Sequence, residues 1–166
     1  MKIRPLENRD RLWAKQLVTN HFGSSRVVTR GVLHETDSLS GLIAVKGTTP
    51  VGLLYFRIEK GQCEVVVLIA ERQREGIGSA LLRGIRRIAE KKNCSRVWLI
   101  TTNANREAQA FYRAMGMRQY AVYPGALTAS RALKPEIPLL DENGRVITDE
   151  IEFEWLLTKA STSKKG

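Results

Sequence analysis

ERQREGIGSALL, residues 71–82, sets Gly76 and Gly78 two positions apart, just after a β-branched run and just before a helical pattern. The first turn of a helix leaves backbone N–H groups without intrahelical partners, and the aligned peptide dipoles place about half a positive charge there. An anion fits that position. A pyrophosphate must come within hydrogen-bonding distance of the main chain, and a Cβ at either inward position would hold it off. Gly76 and Gly78 remove both obstacles, and Ser79 adds a hydroxyl. The spacing discriminates among phosphate-binding turns: GxxxxGK[ST] is absent, and a dinucleotide fingerprint fails because Leu81 stands where glycine or alanine is needed. A helix-start glycine pair with no ligand is the plainer alternative.

Upstream of the turn, β-rich runs at 41–47, 50–59 and 63–70 are joined by short turns, one of them Lys60-Gly61, and predict an antiparallel meander. KIRPL reads as a first strand, and residues 9–18 as a helix with Leu12, Trp13, Gln16 and Leu17 at helical spacing. From 20 to 40 the pattern is lost, which suggests loops around a short helix or strand piece. Downstream, Ile77, Leu81, Gly84, Ile85 and Ile88 predict a helix over 76–92 that packs one side on a sheet. A strand at 95–102, a helix at 106–115 with Ala108, Phe111, Tyr112 and Met115 along one side, and a strand at 117–122 follow. A long connection then holds a helix near 127–133 and an Asn-Gly turn. DEIEFEWLL, residues 149–157, alternates Ile151, Phe153 and Trp155 with Glu150, Glu152 and Glu154 and reads as a strand. Three like charges on a buried face are costly, so the glutamate face is expected to be wet, or else to attract a cation.

The chain of 166 residues, 43% hydrophobic and 27% charged, has the composition of one folded domain. No apolar run approaches the roughly 18 residues of a membrane span, and MKIRPLENRD lacks the apolar stretch of a signal peptide, so no membrane partner and a cytoplasmic location are expected. Cys63 and Cys94 form no CxxC pair, and His21 and His34 have no partner at ligand spacing; reduced thiols and no metal are expected. A net charge of +10 implies a polyanionic partner, for which nucleic acid and a phosphate-rich cofactor both qualify. Nucleic acid is the weaker fit, because neither aromatic interleaving nor a helix-turn-helix is present.

Gln73-Arg74-Glu75-Gly76-Ile77-Gly78 resembles the Q/R-x-x-G-x-G/A pattern of the GNAT superfamily of N-acetyltransferases, and NREAQAFYRAMGM, residues 105–117, resembles that family's N-x-x-A-x-x-F/L-Y segment. The βαβββαβαβ order over 2–157 is similar to that family's as well. Gln73 and Arg74 stand where many members have Arg and Gly, and the insertion over 125–148 matches no acceptor-specific pattern. The resemblance implies an α/β (α+β) fold, a single mixed, mostly antiparallel twisted sheet of six to seven strands flanked by helices, spanning 1–158 as one domain with a disordered tail at 159–166.

It also implies an acetyl-CoA-dependent N-acetyltransferase acting on a primary amine, either a small cationic amine or a protein or peptide amino group, by direct attack in a ternary complex. A non-catalytic acyl-CoA-binding sensor is the alternative. By resemblance, backbone near Leu68 and Ile69 pairs with the pantetheine arm. Gln73, Arg74, Glu75, Gly76, Ile77, Gly78 and Ser79 hold the pyrophosphate, and Arg72, Arg74, Arg83 or Lys91 meets the 3′-phosphate. Asn105 bonds the cofactor arm, caps its helix, or does both, and Tyr112 donates to the departing sulfur. Glu64, whose parity groups it with Val66 and Leu68, is the expected base, with His21, His34 and Glu35 as other proton relays. The partners implied are acetyl-CoA and an amine, and the protein is expected as a monomer or homodimer.

Overall fold

The computed structural model describes residues 1–72 and 74–157. Gln73 and the tail expected to be disordered therefore lie outside the described residues. In chain order the elements are β1 (Lys2–Pro5), α1 (Arg11–Phe22), β2 (Arg26–Thr29), β3 (Val32–Glu35), β4 (Ser40–Lys46), β5 (Thr49–Glu59), β6 (Gln62–Ala70), α2 (Ile77–Lys91), β7 (Arg96–Thr102), α3 (Arg106–Ala114), β8 (Arg118–Tyr123), α4 (Ala126–Leu133) and β9 (Glu150–Leu156). The class is the expected one: a mixed α+β fold whose main sheet has seven strands, mostly antiparallel. Among the described residues the chain divides into two units: Met1–Ala14, Ser38–Trp98 and residues 156–157 form the first, Lys15–Asp37 and Leu99–Trp155 the second.

In the first unit the strand order is β1-β4-β5-β6-β7. Lys60 and Gly61 both have positive φ, 54° and 71°, as a two-residue type I′ hairpin requires, and this fixes Glu59 opposite Gln62 and Arg57 opposite Glu64. Farther along the pair the register slips: Phe56 faces Val65 and Tyr55 faces Val67, so Val66 is an extra residue in β6. α2 buries Ile77, Leu81, Leu82, Gly84, Ile85 and Ala89, close to the predicted stripe. The helix can lie against β5 because Gly52 has no side chain; a Cβ there would press on Ile77 and come within 3.1 Å of Leu81.

In the second unit the order is β7-β9-β8, with β2 and β3 as a separate hairpin. The segment without a readable pattern is this hairpin, turned by Arg30 and Gly31 at φ 48° and 75°. The helix expected at 9–18 is displaced: a 3-10 turn (Asn8–Asp10) precedes α1, and the buried positions are Ala14, Leu17 and Val18 while Leu12 is 70% exposed. The insertion forms α4 and a short loop closed by a Leu140–Val146 bridge. Lys134 secures it, its Nζ donating to the carbonyls of Phe22 and Arg26, both at 2.6 Å.

β9 corrects one expectation. Its glutamate face is not wet: Glu150, Glu152 and Glu154 are 2%, 3% and 2% exposed. Burial of three carboxylates is sustained by partners. Arg30 binds Glu150 through Nη1 at 3.1 Å and through its backbone N–H at 3.2 Å. The Tyr123 hydroxyl donates to Glu152 at 2.7 Å, and Arg118 binds Glu154 at 2.6 Å. The Arg30 guanidinium also lies 3.3 Å from the centre of the Tyr123 ring.

Candidate active site

The turn between β6 and α2 has the backbone the glycine spacing demands. Gly76 is the N-cap of α2 with φ 75°, a left-handed conformation that favours glycine, and a Cβ there would meet nothing within 4 Å. Arg74 also has positive φ, 62°. The helix's own bonding begins with Ala80 N–H donating to the Gly76 carbonyl at 3.0 Å, so the amides of Ile77, Gly78 and Ser79 lie ahead of it. Of the expected contacts, Arg74, Glu75, Gly76, Ile77, Gly78 and Ser79 are therefore together at one helix mouth. Glu75 turns its carboxylate to Lys46, and that hydrogen bond holds it below the usual carboxylate range.

Leu68 and Ile69 lie near the end of β6, opposite Leu54 and Leu53. Glu64 lies toward the strand's other end, and at ~3.3 Å per residue it stands roughly 20 Å along β6 from Ala70. It is 2% exposed. The bulge at Val66 changes its face: residues paired across the ladder share a side, so Glu64, opposite Arg57, is grouped with Val67 and Ile69 and not with Leu68 as simple parity implies. Arg57 Nε donates to Glu64 Oε1 at 3.0 Å. Both residues line a cavity of about 120 Å³ together with Glu59, Lys60, Gln62 and Trp98.

The remaining expected residues belong to the second unit. Asn105 is the N-cap of α3, its Oδ1 accepting from the Ala108 N–H at 3.1 Å. Tyr112 is 9% exposed, its ring 5.8 Å from Phe153 and 5.6 Å from Phe111, and burial pushes its phenol up to about 12. The alternative relays are engaged locally: His21 Nδ1 lies 3.1 Å from the Leu17 carbonyl, His34 Nε2 lies 2.7 Å from Thr29 Oγ1, and Glu35 accepts from Ser25 at 2.6 Å. Cys63 and Cys94 are free and buried, and burial pushes the Cys63 thiol up to about 12. Among the described residues no group of three or more His, Cys, Asp and Glu is placed to hold a metal, and no helix is long and apolar enough to cross a membrane.

Arg57, bonded to the candidate base Glu64, is a residue that composition alone passes over. The signal for it lay in the Lys60-Gly61 turn, since counting outward from a two-residue hairpin sets Arg57 opposite Glu64.

A helix mouth bared by glycine follows a bulged strand on a mixed sheet of this order, as in the acyl-CoA N-acyltransferase type of fold. The sequence pattern of the Acetyltransferase (GNAT) family matches residues 7–117, and the chain belongs to that family. It is 37% identical over 145 residues to the uncharacterized protein YdhI of Bacillus subtilis (strain 168), covering 84% of this chain and 91% of that protein. The fold is similar to that of the ribosomal-protein-S18-alanine N-acetyltransferase from Escherichia coli, with TM-score 0.69, 15% identity and 99% of each chain covered. It is also similar to a Bacillus subtilis acetyltransferase in complex with CoA, with TM-score 0.68, 18% identity, and 95% of this chain and 100% of that chain covered.

Proposed function

We propose that this chain is an acetyl-CoA-dependent N-acetyltransferase that moves an acetyl group to a primary amine by direct attack, with residues 1–158 acting as one catalytic domain. The observation that carries the reading is the open, left-handed Gly76 at the start of α2, in a chain of the GNAT family. The amides of Ile77, Gly78 and Ser79 are the groups that would hold the pyrophosphate, with Arg72 or Arg74 meeting the 3′-phosphate. Bound acetyl-CoA supplies the thioester carbonyl that the amine attacks.

The chain's own groups divide the remaining work. Glu64, directly or through a water chain, takes a proton from the acceptor ammonium before the neutral amine attacks, or from the nitrogen of the tetrahedral intermediate, and the backbone near Leu68, just past the Val66 bulge, offers an N–H to the developing oxyanion. Tyr112 stays protonated across the working range because its phenol lies at about 12. Full proton transfer to a thiolate whose conjugate acid lies near 8.5 would then be uphill by ~3.5 units, or ~5 kcal/mol. Its contribution is therefore a hydrogen bond to the departing sulfur.

The acceptor is read as a small cationic amine or a protein or peptide amino group, which a carboxylate base in a part-buried cavity suits. The test is free-thiol release from acetyl-CoA across a panel of amines and peptides, with mass spectrometry of the product. Tyr112→Phe is expected to retain coenzyme A affinity and lose rate at least tenfold. A binding-only sensor would release no thiol with any acceptor, and the substitution would then change nothing.

A further inference from the structure

We infer that Arg57 is a positioning residue for Glu64: it holds this buried carboxylate ionised and turned into the cavity it lines, and so sets the pH at which the site can accept a proton. The inference rests on the proposed role of Glu64 as base. Two observations carry it. The Lys60-Gly61 turn fixes Arg57 directly opposite Glu64 in the ladder, so their contact is built into the register and is not a chance meeting of surface side chains. The burial is asymmetric: the Glu64 side chain is 2% exposed, whereas that of Arg57 is 30% exposed and also reaches Glu59 at 3.3 Å.

A carboxylate removed from water takes up a proton at higher pH than an exposed one, and a cation bonded to it reverses that tendency. A protonated Glu64 cannot serve as base. Among the described residues, charged and titratable groups around it include Arg57 and Glu59 from β5, Lys60 from the turn, Cys63 from its own strand, and Arg96 from β7, which binds Gln62 at 3.1 Å. The Cys63 thiol is held neutral by burial. Arg57 bonds Glu64 at 3.0 Å, and its charge favours the ionised carboxylate.

The test is the pH profile of kcat/KM for thiol release in wild type, Arg57→Gln, Arg57→Lys and Glu64→Gln, alongside a 13C carboxyl NMR titration in which Glu64 is assigned by its loss in Glu64→Gln. Arg57→Gln is expected to raise the acid limb and the Glu64 carboxyl titration together by about one unit or more, the shift typical of losing a cation beside a carboxylate. KM for acetyl-CoA should not change. Arg57→Lys, which keeps the charge without the planar fork, should stay within about half a unit of wild type. A rate loss equal at every pH, or a Glu64 titration that stays in place, overturns the inference. A full-unit shift in Arg57→Lys also overturns it, and that variant decides the matter if Arg57→Gln does not fold. If wild type turns over no amine, the reading of Glu64 as base fails, and the NMR titration still decides whether Arg57 holds it ionised.

Discussion

Gly52→Ala tests the packing that places the anion-binding turn. A Cβ at Gly52 would overlap Ile77 Cγ2, stand 3.1 Å from Leu81 Cδ1 and 3.2 Å from the Ile69 carbonyl oxygen. Ordinary contacts between carbons are about 3.5–4.0 Å, so all three neighbours are too close. The Ile69 oxygen is fixed by the β5–β6 ladder, and a β-branched side chain on a helix has essentially one χ1 rotamer, so Ile77 cannot swing its methyl aside. Relief has to come from moving the start of α2. Overpacking of this kind costs roughly 1–3 kcal/mol, and the lower chain entropy of alanine in the unfolded state returns about 0.4–1 kcal/mol. A net destabilisation of about 1–2 kcal/mol is expected, read as a lower urea midpoint at unchanged slope. Ile77 is also the first helical residue after Gly76, so coenzyme A affinity measured by calorimetry should fall in the same variant. Gly84→Ala is the control. Its Cβ would lie 3.3 Å from Ile3 Cγ2 and from Leu42 Cδ1, and the helix gains about 1 kcal/mol from alanine, so stability should change little. A Gly52→Ala protein with wild-type midpoint and wild-type affinity would refute the claim that α2 seats on a bare β5 backbone.

Two other perturbations follow from single contacts. Lys134→Met removes the two 2.6 Å bonds to the Phe22 and Arg26 carbonyls and should destabilise the protein by about 1–3 kcal/mol in urea unfolding, because the carbonyls lose partners in a part-buried place. Asp10 accepts from the Glu7 N–H at 2.8 Å and from both Arg4 Nη atoms, and the Arg4 hydrogen bond, chiefly, holds its carboxyl below the ordinary range. A folded-state value below the unfolded one means the stabilisation is fully present above about pH 4 and is lost as pH falls through the depressed value. Asp10→Asn should therefore cost about 1 kcal/mol near neutral pH, with the gap from wild type closing in acid melts; a gap independent of pH would contradict the assignment.

What could be read in advance follows the range of the interaction. The meander, α2 and α3 were legible because hydrophobic period and tight turns are local: Ile77, Leu81 and Ile85 announce a face at a spacing of four, and Lys60-Gly61 announces a hairpin. The β2–β3 hairpin was not legible, because Arg30-Gly31 is a less familiar pair for a type I′ turn than Asn-Gly and the strands it joins are four residues each. Within the site, the glycine turn was evident from spacing, whereas the face of Glu64 was not, since parity fails across a bulge and nothing in CEVVVLIA marks Val66 as the extra residue.

The glutamates of β9 show the same limit from the other side. Regular alternation of charged and apolar residues normally signals one wet face, because a buried carboxylate costs several kcal/mol unless it is paired. Here the alternation marks a strand with both faces covered, and the inference from charge to solvent fails because the partners come from afar in sequence: Arg30 lies in the hairpin turn, and Arg118 and Tyr123 lie on β8. Those three residues neutralise or bond one carboxylate each, so the stripe is consumed internally. The glutamates of β9 are thus bonded within the protein, and the other carboxylates near the candidate base are Glu59 and Glu64, which line one cavity with Arg57, Lys60, Gln62 and Trp98. If β9 recruits cations, Glu152→Gln will weaken a cationic amine more than a neutral one; with the carboxylate bonded to Tyr123, KM for both should move by the same factor, and a selective loss for the cationic amine would show recruitment by β9.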